Sequence, residues 1–191
     1  MKSIASKRLV LSHCLATNIP LKQKLAANAT SLLSAKVVKS LPKTWQGINT
    51  LAQAKIWLDA RFKESEVFSI EIPTSNEIIG LVFIHGIGGG RSGCASSSCA
   101  SSGNESAVGN RALTVHLGYL IAENYWGKGY ASEVLAALVL YFSMQAQQVT
   151  LMAGVENDNF ASIKVLQKCG FVICEQPSQV KQGSLFYQQI V

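Results

Sequence analysis

Acidic residues are missing from the first 58 positions: nine lysines or arginines stand there, and Asp59 is the first carboxylate. The rest of the chain holds eight basic residues and all eleven acids. A protein wall without carboxylates repels polyamines and other polycations and favours partners that carry negative charge. Transit peptides also lack acids, but Lys outnumbers Arg eight to one in this segment and Leu9-Val-Leu11 has the look of a strand, so a folded basic surface is expected. Long apolar runs are absent too. The longest, Val134 to Phe142, is far too short to span a bilayer, and the three-residue apolar core near the start is too short for a secretory signal. Cysteines at 14, 94, 99, 169 and 174 are odd in number and match no zinc spacing. Unpaired thiols, no metal and a cytoplasmic location are the expectation.

What is present suffices for a sizeable core, since 48% of the 191 residues are hydrophobic. One domain over residues 1–191 is expected. Lys7 to Ser12 reads as a strand. Pro20 to Ser40 has helical spacing at Leu21, Leu25, Ala29, Leu32 and Leu33 until Pro42 breaks it, and Thr50 to Lys63 reads as a second helix. Val67–Ile72 and Ile78–His85 read as strands joined at Pro73-Thr-Ser-Asn-Glu77. Residues 86–110 are Gly, Ser and small side chains, a flexible insertion between two strands. The glycines at 86, 88, 89 and 90 lack the Lys-[Ser/Thr] of a phosphate loop, and no helix follows them. Strand 113–121, helix 131–146, strand 149–155, helix 159–169, a strand at 171–175 and a last strand at 184–191 complete the order. This is an α/β arrangement with a mixed sheet.

The most specific segment is Tyr125-Trp126-Gly127-Lys128-Gly129-Tyr130-Ala131, between strand 113–121 and the helix that follows. A glycine-bearing strand-to-helix turn points successive backbone N–H groups at one spot and suits a phosphate. Gly127 and Gly129 let the backbone approach a ligand with no Cβ in the way.

Together with Gly118-Tyr119 upstream, this segment resembles the acetyl-CoA loop of the GCN5-related N-acetyltransferase (GNAT) superfamily, in the branch containing ribosomal-protein N-terminal acetyltransferases. Asn159-Phe-Ala-Ser162 with Val165-Leu166, Lys168 and Gly170-Phe171 is similar to the second motif of that branch. Arg8-Leu9-Val10-Leu11 resembles its opening strand. The likeness covers the chain apart from the insertion. It implies an α+β fold with a mostly antiparallel sheet, helices on both faces and splayed central strands. It further implies that the backbone N–H groups from Trp126 through Ala131 hold the coenzyme A pyrophosphate, with Lys128 reaching a phosphate or solvating the loop. The backbone of Tyr119, Leu120 and Ile121 would pair with the pantetheine arm. Asn159 would contact that arm or cap the helix that follows it. Trp126 would anchor the turn or touch the ligand.

Acetyl transfer to an amine needs a base for the amine proton and, optionally, an acid for the departing thiolate. His116 stands where many relatives carry a Glu, on one face of the strand with Gly118 and Leu120. Glu123, at the end of the strand, is the other candidate base. The Tyr that relatives use as acid is replaced by Leu166, leaving Ser162 as the candidate hydroxyl. His85 reads as structural or substrate-facing.

The expected activity is acetyl-CoA-dependent N-acetylation of a primary amine by direct attack in a ternary complex. The acceptor would be a peptide N-terminus with acidic neighbours, or a small amine bearing a carboxylate. The alternative is a CoA-binding sensor or interaction module of the same fold that has lost catalysis. A nucleic-acid reading rests on the basic first third alone, with no supporting motif. Monomer and homodimer are both compatible with the sequence.

Overall fold

The computed structural model describes residues 3–86, 113–174 and 184–191. The Gly/Ser-rich insertion, apart from Gly86, lies outside the described residues, as do Cys94, Cys99 and Glu175. The elements are β1 (Ser3–Ala5), β2 (Val10–Cys14), α1 (Ile19–Leu32), α2 (Ala35–Val38), α3 (Leu51–Glu64), β3 (Glu66–Ile72), β4 (Glu77–His85) and β5 (Leu113–Ile121). They continue with α4 (Tyr130–Ser143), β6 (Val149–Glu156), α5 (Phe160–Lys168), β7 (Val172–Ile173) and β8 (Ser184–Ile190). Eight strands form one sheet in the order β1-β2-β3-β4-β5-β6-β8-β7. Every pairing is antiparallel except the parallel β5–β6 contact at its centre.

Strand β4 is buried from Ile78 to Ile84 because both faces of the sheet are covered. On one face, α4 presents Val134, Leu135, Leu138 and Phe142 to Leu11, Ile79, Val115 and Leu151. On the other, Leu25, Ala29 and Leu32 of α1 and Ala54, Trp57 and Leu58 of α3 pack against Leu81, Phe83 and Leu120. Alternation along β5 therefore sends Val115 and Leu117 to the α4 side and Leu120 to the α1/α3 side, as the sequence pattern requires.

Three local expectations are corrected. The helix expected over 20–40 stops at Leu32, and the Ser34 hydroxyl accepts from the Val37 N–H to start the short α2. Serine supplies a competing backbone partner, which makes it a better cap than helix interior. The strand expected at 7–12 is a β1–β2 hairpin whose turn is closed by Ser6 and Leu9. The strand near 171–175 is confined to Val172–Ile173. Thr50 caps α3 in a reciprocal box with Gln53.

The feature that positions the site lies between β5 and β6. Their pairing runs only from Leu113–Val149 to Leu117–Ala153. Beyond it, β5 stays paired with β4 out to Ile121, and β6 with β8 out to Glu156. The two central strands thus part company and leave a wedge in the sheet.

Candidate active site

Two cavities meet at this wedge. The larger, about 830 Å³, runs along the end of β5, the loop before α4, the first turn of α5 and the flank of α2. The smaller, about 240 Å³, lies deeper, between the diverging strands and the segment Ser40–Trp45. Both are bounded by Ser40, Leu41, Tyr119, Asn159 and Ser162, so one opens into the other.

The larger groove has the chemistry of an anion seat. Gly127 and Gly129 take φ values of +74° and +78°, in the left-handed region that side chains with a Cβ avoid. No side chain caps the N-terminus of α4, so its first-turn N–H groups lack a partner from a cap. The carboxylate in that turn, Glu133, is drawn away from the mouth. Its Oε1 accepts from the Arg8 backbone N–H at 2.6 Å and from the Ser6 hydroxyl at 2.8 Å, while Oε2 accepts from Arg8 Nε at 2.7 Å. These donors hold the Glu133 carboxyl below its usual range against the opposing effect of desolvation. Arg8 also donates through Nη2 to the Lys128 carbonyl at 3.1 Å and lies 4.5 Å above the Tyr130 ring. The amino-terminal hairpin therefore ties down the glycine turn from behind. Sequence reasoning placed Arg8 and Glu133 inside motifs but missed their pairing, because 125 residues separate them.

Of the residues expected at the coenzyme, Tyr119, Leu120, Ile121, Trp126, Gly127, Gly129, Tyr130, Ala131, Asn159 and Ser162 all line this groove. Lys128 does not; its ammonium sits 4.9 Å over the Tyr125 ring. Trp126 combines its two expected parts. Its indole N–H donates to the Ile121 carbonyl at 2.7 Å, and about half of the side chain stays exposed at the groove. Asn159 caps α5 by accepting from the Ser162 N–H at 3.1 Å, and it also faces both cavities.

In the smaller cavity, His116 and His85 are cross-strand partners and both contribute to the wall. Burial, followed by the proximity of His85, lowers the His116 pKa from its ordinary value, so its imidazole is neutral near pH 7. His85 Nδ1 lies 2.7 Å from the Glu64 carbonyl and donates to it. The Tyr119 hydroxyl is buried without a well-formed hydrogen bond, although Ser162 is near enough to oppose the burial that raises its pKa. Leu166 lines this cavity as apolar surface.

The structure does not bring Glu123 to either cavity. Its Oε1 accepts from Lys36 at 2.5 Å and its Oε2 from the Ser34 hydroxyl at 3.3 Å. The hydrogen bond from Lys36 pulls its pKa down, the wrong direction for a base at neutral pH. Glu123 instead joins α2 to the end of β5.

These cavities and this sheet define an acetyltransferase-type α/β protein. Residues 20–172 match the sequence profile of the family described as Acetyltransferase (GNAT) domain, and the chain belongs to that family. Among solved structures, an acetyltransferase (GNAT family) from Bacillus anthracis superposes with a TM-score of 0.66 at 18% identity, covering 99% of this chain and 98% of that one. RimL, a ribosomal L7/L12 alpha-N-protein acetyltransferase in complex with coenzyme A, gives 0.64 at 17% identity over 100% and 98% of the two chains. At such identities the likeness concerns the fold. A curated relative, the uncharacterized N-acetyltransferase p20 of Bacillus licheniformis, is 38% identical over 55 residues, which are 29% of this chain and 31% of that protein's length. Among the described residues, no helix is long and apolar enough to cross a membrane.

Proposed function

We propose that this protein is an acetyl-CoA-dependent N-acetyltransferase acting on a primary amine by direct attack in a ternary complex. The observation that carries the reading is the wedge between β5 and β6, where a phosphate-accepting groove opens into a separate small cavity. The residues present fit the coenzyme: an uncapped helix end, two glycines with positive φ, and a first-turn carboxylate neutralised by Arg8. Acetyl-CoA, when bound, supplies an acetyl group activated as a thioester.

The chain's own residues divide the rest. The turn from Trp126 to Ala131 holds the pyrophosphate, and the free edge of β5 from Tyr119 to Ile121 orients the arm. Asn159 adds a polar contact there. Neutral His116 accepts the proton that the amine nitrogen sheds as its bond to the acetyl carbon forms. The thioester C–S bond breaks as the amide forms, Ser162 offers its hydroxyl as a hydrogen-bond donor to the departing sulfur, and the thiolate takes its proton from solvent. The α1–α3 side forms the acceptor wall.

Among the described residues, the acceptor cavity is lined by neither carboxylate nor ammonium. With nothing to stabilise an ammonium, it favours amines that lose their proton readily. An α-amine, with a pKa of about 7.7–8.0, meets that condition better than a lysine side chain at about 10.4. The test is free thiol release from acetyl-CoA with α-amines, lysine side chains and polyamines in parallel. Turnover of α-amines first is expected; spermine-like polycations as the fastest acceptors would sink the assignment. A CoA-binding module without catalysis would bind the coenzyme yet release no thiol with any amine.

A further inference from the structure

The small cavity is larger than an amine and an acetyl group require, and part of its wall is apolar: Leu41, Pro42, Trp45 and Phe83 line it together with His85 and His116. The aromatic part of this wall is fixed in place. Trp45 meets Phe83 edge-on at 4.9 Å and Trp57 at 5.4 Å. The Arg61 guanidinium lies 4.8 Å over the Trp45 ring, is itself largely buried, and is held by Glu64 at 2.7 Å. Glu64 also accepts from His85 through its backbone carbonyl. The last turn of α3 thus pre-sets both the indole wall and the histidine beside it.

From this geometry we infer that the apolar part of the cavity is a subsite for a large apolar or aromatic group on the acceptor near the reacting amine, with Trp45 as its specificity-determining residue. The inference rests on the acetyltransferase reading above. An apolar wall held rigid before binding gains the burial of the group without an ordering cost. Lys39 and Lys43 stand on either side of the lining segment Ser40–Pro42, and neither has a carboxylate within ion-pair distance among the described residues. They suit an anionic group farther from the amine, such as the acidic side chains of a peptide or the carboxylate of a free amino acid.

The experiment compares peptides that differ only at residue one (Phe, Leu, Ala or Ser) and carry acidic residues at positions two and three, with phenethylamine as an arm without peptide. Thiol release from acetyl-CoA is the readout. The expected kcat/KM for Phe and Leu exceeds that for Ala and Ser about tenfold or more, the gain from burying a large apolar side chain. Trp45→Ala should cut this ratio at least fivefold, while Trp45→Phe, which keeps an aromatic wall, should retain most of it. Turnover of phenethylamine on a par with the Phe peptide assigns the subsite to small arylalkylamines, and its refusal assigns it to peptide N-termini. Equal or better turnover of Ala and Ser by the wild-type protein would overturn the inference, and that comparison needs no variant. Failure of every acceptor with coenzyme binding intact would instead overturn the acetyltransferase reading.

Discussion

His116 was the leading candidate base in the sequence and Glu123 the second, one on the strand and one at its end, and their surroundings separate them. Burial keeps His116 neutral and able to take a proton, whereas Lys36 keeps Glu123 ionised and occupied. His116→Ala should lower kcat about 10²–10⁴-fold while coenzyme affinity stays within about twofold, measured by steady-state turnover and calorimetry. The pH profile follows from the sign of the shift. A base whose pKa is depressed stays active down to that lowered value, so the acid limb of kcat/KM, expressed per unprotonated acceptor amine, should fall below the ordinary imidazole value of about 6.5. The same shift makes the unfolded chain the better proton binder, so the contribution of His116 to stability is present above about pH 6.5 and declines as pH falls below it. An acid limb centred above pH 7 would contradict the base assignment.

Elements are held in register by residues far apart in the chain. The Arg8–Glu133 clamp joins the β1–β2 hairpin to the first turn of α4, and Lys36–Glu123 joins α2 to the end of β5. Arg8→Ala should raise the acetyl-CoA KM several-fold with little change in kcat, because it loosens the glycine turn without touching the small cavity. Arg8 is nearly half exposed, so screening limits the stability loss to about 1–2 kcal/mol, or a Tm fall of about 2–8 °C in a chain of this size. Asn159 allows its two parts to be separated. Asn159→Ala should cost about 1 kcal/mol of stability and weaken coenzyme binding, whereas Asn159→Asp keeps the cap and should weaken binding alone by charge repulsion near the coenzyme. Calorimetric melting and coenzyme titration of both variants check this.

Such clamps explain how far the sequence could be read. The turn from Tyr125 to Ala131 and the run from Asn159 to Ser162 are contiguous, so their local chemistry was legible, as was the strand alternation at His116. The break at Ser34 was not, since Leu32 and Leu33 continue a helical spacing that a serine hydroxyl then interrupts. Arg8 looked like part of a strand, and its actual position follows from a carboxylate 125 residues away.

At the scale of the whole molecule, charge and cavity act together. The wall contributed by α1, α2 and the segment to Trp45 comes from the part of the chain without acids, and no charged residue among the described ones lines the smaller cavity. Spermine should therefore be turned over at least tenfold more slowly than an α-amine peptide with acidic neighbours, and added salt should weaken use of that peptide by screening its attraction to the wall. The mixed sheet was legible from the order of elements, whereas the helices on both faces were implied by the family resemblance. The wedge at its centre came only from the family resemblance, because composition and periodicity do not show where two strands stop pairing.

The most direct test of the account combines coenzyme binding and amine-dependent thiol release, measured on one preparation of wild-type protein and of His116→Ala. The account predicts that both proteins bind coenzyme A alike, and that only the wild type releases thiol in stoichiometric step with acetylated amine. Coenzyme binding by the wild type with no amine-dependent release across α-amine peptides and small amines would contradict it.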